Sequence, residues 1–209
     1  MRNIVKLTAI GLICCQLTGC LAAVVGGVGL AALIAHDRRS TGTIVEDHSI
    51  ELKVYKIVAQ VDTNEDTHIS AVSYNNNLLL VGQALTPDLK EAIEQQVRRI
   101  PKVQKIYNEI LIAPPTSMMT RSSDSITTAK IKSDLLVNKR VDPTRIKIVT
   151  EDGVVYLLGL IHPYEEEPAV ETARRVSGVR RVVKLFEFTN STAGAPQKGE
   201  VLYPKSSGR

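Results

Sequence analysis

Three cysteines, four histidines and two short acidic runs are the residues of this 209-residue chain whose types invite a chemical role. The cysteines, Cys14, Cys15 and Cys20, all fall within one stretch, CCQLTGC. A structural zinc site needs thiolates in spaced pairs that converge, commonly C-x2-C with a second pair further on. Cys14 and Cys15 are adjacent, lie in an apolar run and have no later Cys or His pair to meet. His36, His48, His68 and His162 are scattered, none at metal-pair spacing, and read as surface or loop histidines. Asp62-Thr63-Asn64-Glu65-Asp66 begins like a calcium loop, D-x-N-x-D. Its sixth position is Thr67 where the turn needs Gly, and its twelfth is Ser73 where a bidentate Glu belongs. It therefore reads as a solvated helix-to-strand connection. Glu165-Glu166-Glu167 reads as a solvated first helical turn, favourable to the helix dipole. No G-x-S-x-G, P-loop or nucleophile–base pair occurs. No enzyme, metal or cofactor is expected.

The surroundings of the cysteines suggest an address instead. Arg2 and Lys6 give a positive start, Leu7 to Ile13 an apolar segment, and small residues precede Cys20, as in an export signal. A membrane-spanning helix over Leu7 to Ala35 competes, since about 20 apolar residues cross a bilayer. Gly19, Gly26, Gly27 and Gly29 interrupt that run. Leu17-Thr18-Gly19-Cys20 resembles a bacterial lipobox. By that resemblance Cys20 becomes the first mature residue, its thiol taking a thioether-linked diacylglycerol and its amine a further chain. More than one chain is needed for stable anchoring, at ~0.8 kcal/mol per buried methylene. Leu21 stands where Asp would resemble an inner-membrane retention signal, so the expected address is the periplasmic face of the outer membrane. Residues 1–19 are then a signal peptide and 20–46 a lipidated apolar tether, including LAAVVGGVGLAALIA.

No cysteine follows Cys20, so in an oxidising compartment the fold is held by its core alone. Removing residues 1–19 takes away Arg2 and Lys6, so the 26 basic residues fall to 24 against 22 acidic. That is a mixed, solvated surface with no steering field for nucleic acid.

A repeat organises the rest. A shift of 77 residues lays Ile69-Ser70-Ala71-Val72 on Ile146-Lys147-Ile148-Val149, and LLLVG at Leu78 on VYLLG at Val155. Each copy opens with an amphipathic helix: Ile50, Val54, Ile57, Val58 and Val61, then Ile126, Ile131, Leu135 and Leu136. Asp124 and Ser125 are cap-type residues for the second of these. Two strands follow around Tyr74-Asn75-Asn76-Asn77 and around Glu151-Asp152-Gly153, the latter carrying the Asp-Gly hairpin signal. The second strand reaches Gly82 or Gly159, where a missing side chain admits a close neighbour. Another helix carries Leu89, Ile93, Val97 and Ile100, or Val170, Ala173 and Val176, and a last strand closes each copy. A strand–helix–strand crossover favours parallel pairing. The expected fold is α+β: two tandem αββαβ units, each a three-stranded mixed sheet with two helices on one face. The units span 47–112 and 124–188, joined by a linker at 113–123 and followed by a disordered tail at 189–209.

The strands LLLVGQ and VYLLGLI, the Val-Ser-Gly-Val turn at 176–179, the lipobox and Asp37-Arg38-Arg39-Ser40-Thr41-Gly42-Thr43 together resemble dual BON-domain outer-membrane lipoproteins. The resemblance implies a non-enzymatic protein that supports outer-membrane integrity. It also implies that the first helix of the second domain binds anionic phospholipid such as phosphatidylglycerol. Ile126 occupies the position where that family carries a membrane-wedging Trp, and this chain has no Trp. Ile126, Thr127, Lys130 and Lys132 are thus the expected lipid-binding residues, and Cys20 the lipidated one. The alternative partner is a periplasmic or outer-membrane protein docked on the sheet faces.

Overall fold

In the computed structural model, residues 39–64 and 66–189 are described. The signal peptide, Cys20, His36, most of the tether and all but the first residue of the tail lie outside them. The first unit runs α1 (Thr41–Val61), β1 (Thr67–Tyr74), β2 (Asn77–Ala84), α2 (Pro87–Val97) and β3 (Lys105–Ile112). The second runs α3 (Met118–Val137), a 3-10 turn at Pro143–Arg145, β4 (Ile146–Glu151), β5 (Val154–Ile161), α4 (Pro163–Arg174) and β6 (Arg181–Phe188). In each, the first two strands pair antiparallel and the third lies parallel to the second, as a helical crossover requires.

Two cores lie between helices and sheets. Ile50, Val54, Leu78, Leu80, Ile93, Val97 and Ile110 fill the first; Ile131, Leu135, Val155, Leu157, Ile161, Val170 and Ala173 fill the second. The central strand of each sheet is crowded from one side. Gly82 has φ of 121°, and a Cβ there would stand 1.9 Å from the His68 carbonyl oxygen of β1. At Gly159 the Arg145 carbonyl oxygen would be 2.5 Å away. The close neighbour admitted is the backbone of the first strand at Gly82 and, at Gly159, that of the residue just before β4.

The opening helices start earlier than their apolar spacing suggests. Ser40 caps α1 by accepting from the Thr43 amide at 3.1 Å, and Ser117, 77 residues on, accepts from Thr120 at 3.2 Å. Asp124 is therefore not a cap; it lies seven residues inside α3 and is buried. Its carboxylate faces the β4–β5 turn, accepting from the amides of Asp152 at 2.7 Å and Gly153 at 2.9 Å. Asp47 does the same for the β1–β2 turn, accepting from Asn75 and Asn76, both at 2.8 Å. These turn residues all have positive φ, from 46° to 69°, which is the backbone of a two-residue type I′ hairpin. The conformation that shapes the turn points adjacent N–H groups one way, and a buried helix carboxylate receives them. Asp47 takes two further bonds, from Ser73 Oγ at 2.7 Å and from Arg39 at 2.8 Å.

The second faces of the two sheets pack on each other. Tyr74, Leu79 and Val81 of one meet Tyr156 and Leu158 of the other, with Val72, Tyr107, Val149, Val183 and Leu185 around them. The chain thus forms four layers, helices outermost. Polar groups close the rim of this seam. Buried Gln83 donates to Glu151 at 2.8 Å and accepts from the Thr116 amide at 3.0 Å. Glu187 takes the side-chain amides of Asn75 and Asn77, and the Tyr74 hydroxyl donates to the Arg145 carbonyl at 3.2 Å. Arg39, the last residue before α1 and its cap, lies 3.9 Å over the Tyr74 ring. The sheet faces expected as docking surfaces for a protein partner are consequently buried against one another.

Asp124→Ala should lower stability by about 2 kcal/mol, because two amides lose a charged acceptor without gaining water. Asp47→Ala should cost more, since four donors lose their partner. Urea titration of both variants measures the order; equal losses would show that the bonds from Ser73 and Arg39 contribute nothing.

Candidate functional site

The expected lipid-binding residues are all on α3, but they do not share a face. Asp124, Thr127, Ile131 and Leu135 are its buried residues, at steps of three and four. Thr127 is only 4% exposed; its hydroxyl donates to the Ser123 carbonyl at 3.0 Å, and its side chain packs where Gly178 leaves room. It cannot touch a membrane without α3 leaving its domain. Ile126, expected to meet lipid, is exposed, and so is Leu136, whose spacing sets it with Ile131 and Leu135 on the apolar side of the helix.

The outward side is more apolar than its sequence spacing suggests. Met119, Ile126, Lys130, Ser133 and Val137 recur at steps of seven, four, three and four, so they line one side of a helix with 3.6 residues per turn. Met118 and Met119 at its start are 76% and 82% exposed, and Leu136 and Val137 at its end 71% and 78%. Ile126, at 55%, sits between them rather than at the helix start. At ~1.5 Å per residue the 20-residue helix carries this stripe for about 30 Å. Lys130 lies within it, whereas Lys132, two residues on, lies about 160° round the helix on the side of Arg121, Ser125 and Thr128; both are exposed, and neither has a carboxylate partner among the described residues. Exposed Lys139 and Arg140 follow the helix end. The sequence signal that could have revealed this is the pair Met118-Met119 together with Leu136-Val137, each straddling both faces of a helical wheel.

On the other flank of α3 a polar cleft opens towards the first unit. His68 and Ser70 of β1 face Arg121, Asp124, Ser125 and Thr128 of α3 and Thr150 and Glu151 of β4 across it. Burial, and next the Arg121 guanidinium, hold the His68 imidazolium below its ordinary range, while Glu151 pulls the other way.

The remaining chemical candidates serve structure. Asp62 accepts from the amides of Asp66 and Thr67, both at 2.9 Å, and from the Thr67 hydroxyl at 2.6 Å. Burial pushes its pKa up, but these bonds outweigh that and hold it below the usual carboxylate range. Glu165 is not solvated: it is 2% exposed and accepts from the His162 amide at 2.8 Å and the Asp142 amide at 3.0 Å. His162 is likewise buried, stacked on Tyr164 at the α4 cap, rather than a surface residue. Among the described residues no group of three His, Cys, Asp or Glu side chains could hold a metal ion, and no helix is long and apolar enough to cross a membrane.

Two copies of one αββαβ unit with these glycines match a known family model, BON domain, over residues 46–114 and 123–190. This chain is a dual BON-domain protein of the DolP type. It is 36% identical to the outer membrane lipoprotein DolP of Haemophilus influenzae, over 82% of this chain and 90% of that one. It is 37% identical to a 21 kDa hemolysin of Actinobacillus pleuropneumoniae, over 73% and 79% of the two chains. Osmotically-inducible protein Y of Escherichia coli matches at 26% identity, over 68% of this chain and 72% of that one. The likeness to that lipoprotein over most of both chains supports an outer-membrane address.

His68 gives the fold a pH dependence. An imidazole held below its ordinary value of about 6.5 stays neutral in the folded state where the unfolded chain takes up a proton. Stability should therefore decline as pH falls from about 6.5 through the lower folded value, and level off below it. Urea midpoints between roughly pH 5 and 7.5 should show this slope. The slope should be flatter in His68→Gln; an unchanged slope would assign it to other groups.

Proposed function

We propose that this BON protein is held to the outer membrane by lipid on Cys20 and lies on anionic phospholipid through α3, so supporting the integrity of that membrane. The observation that carries the reading is the outward side of α3: exposed Met119, Ile126 and Val137 in a file, Met118 and Leu136 exposed next to its ends, and Lys130 in the same file with no carboxylate partner among the described residues. A helix with an apolar side and a lysine along it lies in the plane of a bilayer interface. Full burial of such a side chain contributes about 1.5–3 kcal/mol, and each lysine about 1 kcal/mol near an anionic surface. Methionine suits the role, since its flexible side chain adapts to irregular surroundings. Distributing apolar contact along the helix explains how a chain without Trp serves the same purpose. The family resemblance and the relatives' names support the outer-membrane address.

Two variants test the two halves. Cys20→Ala should move the protein from membrane to soluble fractions of cells. Ile126→Asp in residues 38–209 should weaken binding to phosphatidylglycerol vesicles by about tenfold, near 1.4 kcal/mol. Adding salt should weaken the unmodified protein as well, through screening of the lysines. Binding that ignores both the substitution and salt would sink the α3 reading, whatever Cys20 does.

A further inference from the structure

In an antiparallel pair, residues alternate between bonding the partner strand and pointing their N–H and C=O groups away from it. A two-residue turn makes its flanking residues a bonded pair, so Tyr74 bonds Asn77 and Glu151 bonds Val154. Counting back in twos, the outward groups on the open edge of β1 belong to Ser73, Ala71 and Ile69, and on that of β4 to Thr150, Ile148 and Ile146. The first domain covers its edge from α1. The Glu51 carboxylate accepts from the Ser73 amide at 2.9 Å, and the Tyr55 hydroxyl accepts from the Ala71 amide and donates to its carbonyl, at 3.4 Å each. The second domain carries no such cover. The residues 77 positions on from Glu51 and Tyr55 are Thr128 and Lys132. Thr128 gives its hydroxyl to the Thr150 side chain rather than to the backbone, and a lysine has no acceptor to offer an N–H. The backbone N–H and C=O groups of Ile148 and Thr150 therefore have no hydrogen-bond partner among the described residues.

That edge is the floor of the cleft beside α3, which runs along four successive residues of β4, Ile148 to Glu151, with a volume of about 390 Å³. α3 forms one wall, and His68 and Ser70 of β1 the other. An unpaired edge is a template for another strand. The two walls admit a single extended chain, whereas the edge of a second folded copy would meet α3 and β1 first. The charges select within that class. Asp124 spends both carboxylate oxygens on the β4–β5 turn, and Lys147 lies 3.6 Å from Glu51. Arg121 and Lys132 on the α3 wall have no carboxylate partner among the described residues. On the side of β1, Glu151 keeps one oxygen beyond its bond from Gln83. Side chains of an extended chain alternate between the two walls. Those toward α3 meet positive charge, and those toward β1 meet Ser70, Glu151 and the neutral His68 imidazole.

We propose that β4 takes an extended peptide as a further strand of its sheet, through the N–H and C=O groups of Ile148 and Thr150, with acidic side chains of the peptide toward Arg121 and Lys132. In this mode of recognition main-chain bonds give affinity and alternate side chains give specificity. Arg121, Thr128 and Lys132 lie about 160° round α3 from the file that holds Ile126. The site therefore faces away from a bilayer beneath that file and stays open to a segment of a soluble partner. It stands whether or not α3 lies on lipid.

The probe is a peptide of about eight residues alternating Glu and Thr, blocked at both ends and titrated into residues 38–209, which include every described element. Backbone amide exchange reads the edge directly. Without peptide, the Ile148 and Thr150 amides should exchange much faster than those of Ala71 and Ser73, and with peptide they should become protected. Only alternate N–H groups of the peptide can face β4. N-methylation of its Glu nitrogens alone or of its Thr nitrogens alone should thus weaken binding about tenfold in one case and little in the other. Lys in place of Glu should weaken it about fivefold. Thr128→Glu with Lys132→Tyr sets on α3 the pair that covers β1, and should abolish peptide binding. Thr150→Pro removes one outward N–H at an edge position that tolerates proline, without adding charge, and should weaken binding about tenfold. No binding of the Glu–Thr peptide, equal effects of the two N-methylations, or unaltered binding by Thr150→Pro overturns the proposal. So does protection of the Ile148 and Thr150 amides before peptide is added, because a second copy or residues 190–209 would then already fill the edge.

Discussion

Each of the two sheets has two apolar faces and only one pair of helices to cover them. β2 and β5 are central strands whose residues are buried in both directions: Leu78 and Leu80 point to one core, Leu79 and Val81 to the seam. Burial of apolar area is the main favourable term in folding, and a bare three-stranded face of Leu, Val and Tyr would favour association. The two sheets solve this together, each serving as the other's missing layer. The helices become the only broad surfaces left, and they lie on opposite outer sides, so one flat bilayer reaches one helix layer. The faces left open to a partner are the helices and the rim where the layers meet.

Within each copy a second coupling joins helix to hairpin. A type I′ turn requires positive φ at two successive positions, which Asn75-Asn76 and Asp152-Gly153 supply. Asp47 and Asp124 then receive the turn amides from inside the opening helix. Aspartate is a poor helix-interior residue, because its short side chain competes for nearby backbone groups. Here the competition is settled by amides from another element, and the unfavourable local choice serves register between helix and sheet.

Much of this was readable in the sequence, for identifiable reasons. The repeat, the strand order and both cores follow from period-2 and period-3.6 patterns reinforced by a second copy. The seam was also written there, in LLLVG and VYLLG, since strands apolar at every position are buried on both faces. The helices account for one apolar face of each sheet, and sequence alone does not say that the partner of the other is the second copy. Asp124 misled because cap-type residues carry the same signal at a helix start as at an interior site with a distant donor. Thr127 and Ile126 are neighbours in sequence, but a helix turns 100° between them, and only the second faces out. The cleft had no sequence signal, because His68 and Arg121 are brought together by the packing of two sheets and not by any spacing.

Arg39 gives the anchor a mechanical consequence. An anchored protein is pulled wherever its tether enters the fold, and a helix pulled at its free end would be stripped turn by turn. Here the last tether residue is clamped before α1 begins: its guanidinium is ion-paired to buried Asp47 and lies against the Tyr74 ring. Asp47 holds the first hairpin, and Tyr74 reaches across the seam to the Arg145 carbonyl. With the proposed lipid on Cys20, tension from the membrane would reach helix, hairpin and neighbouring domain at once. The parts would then share the load in parallel.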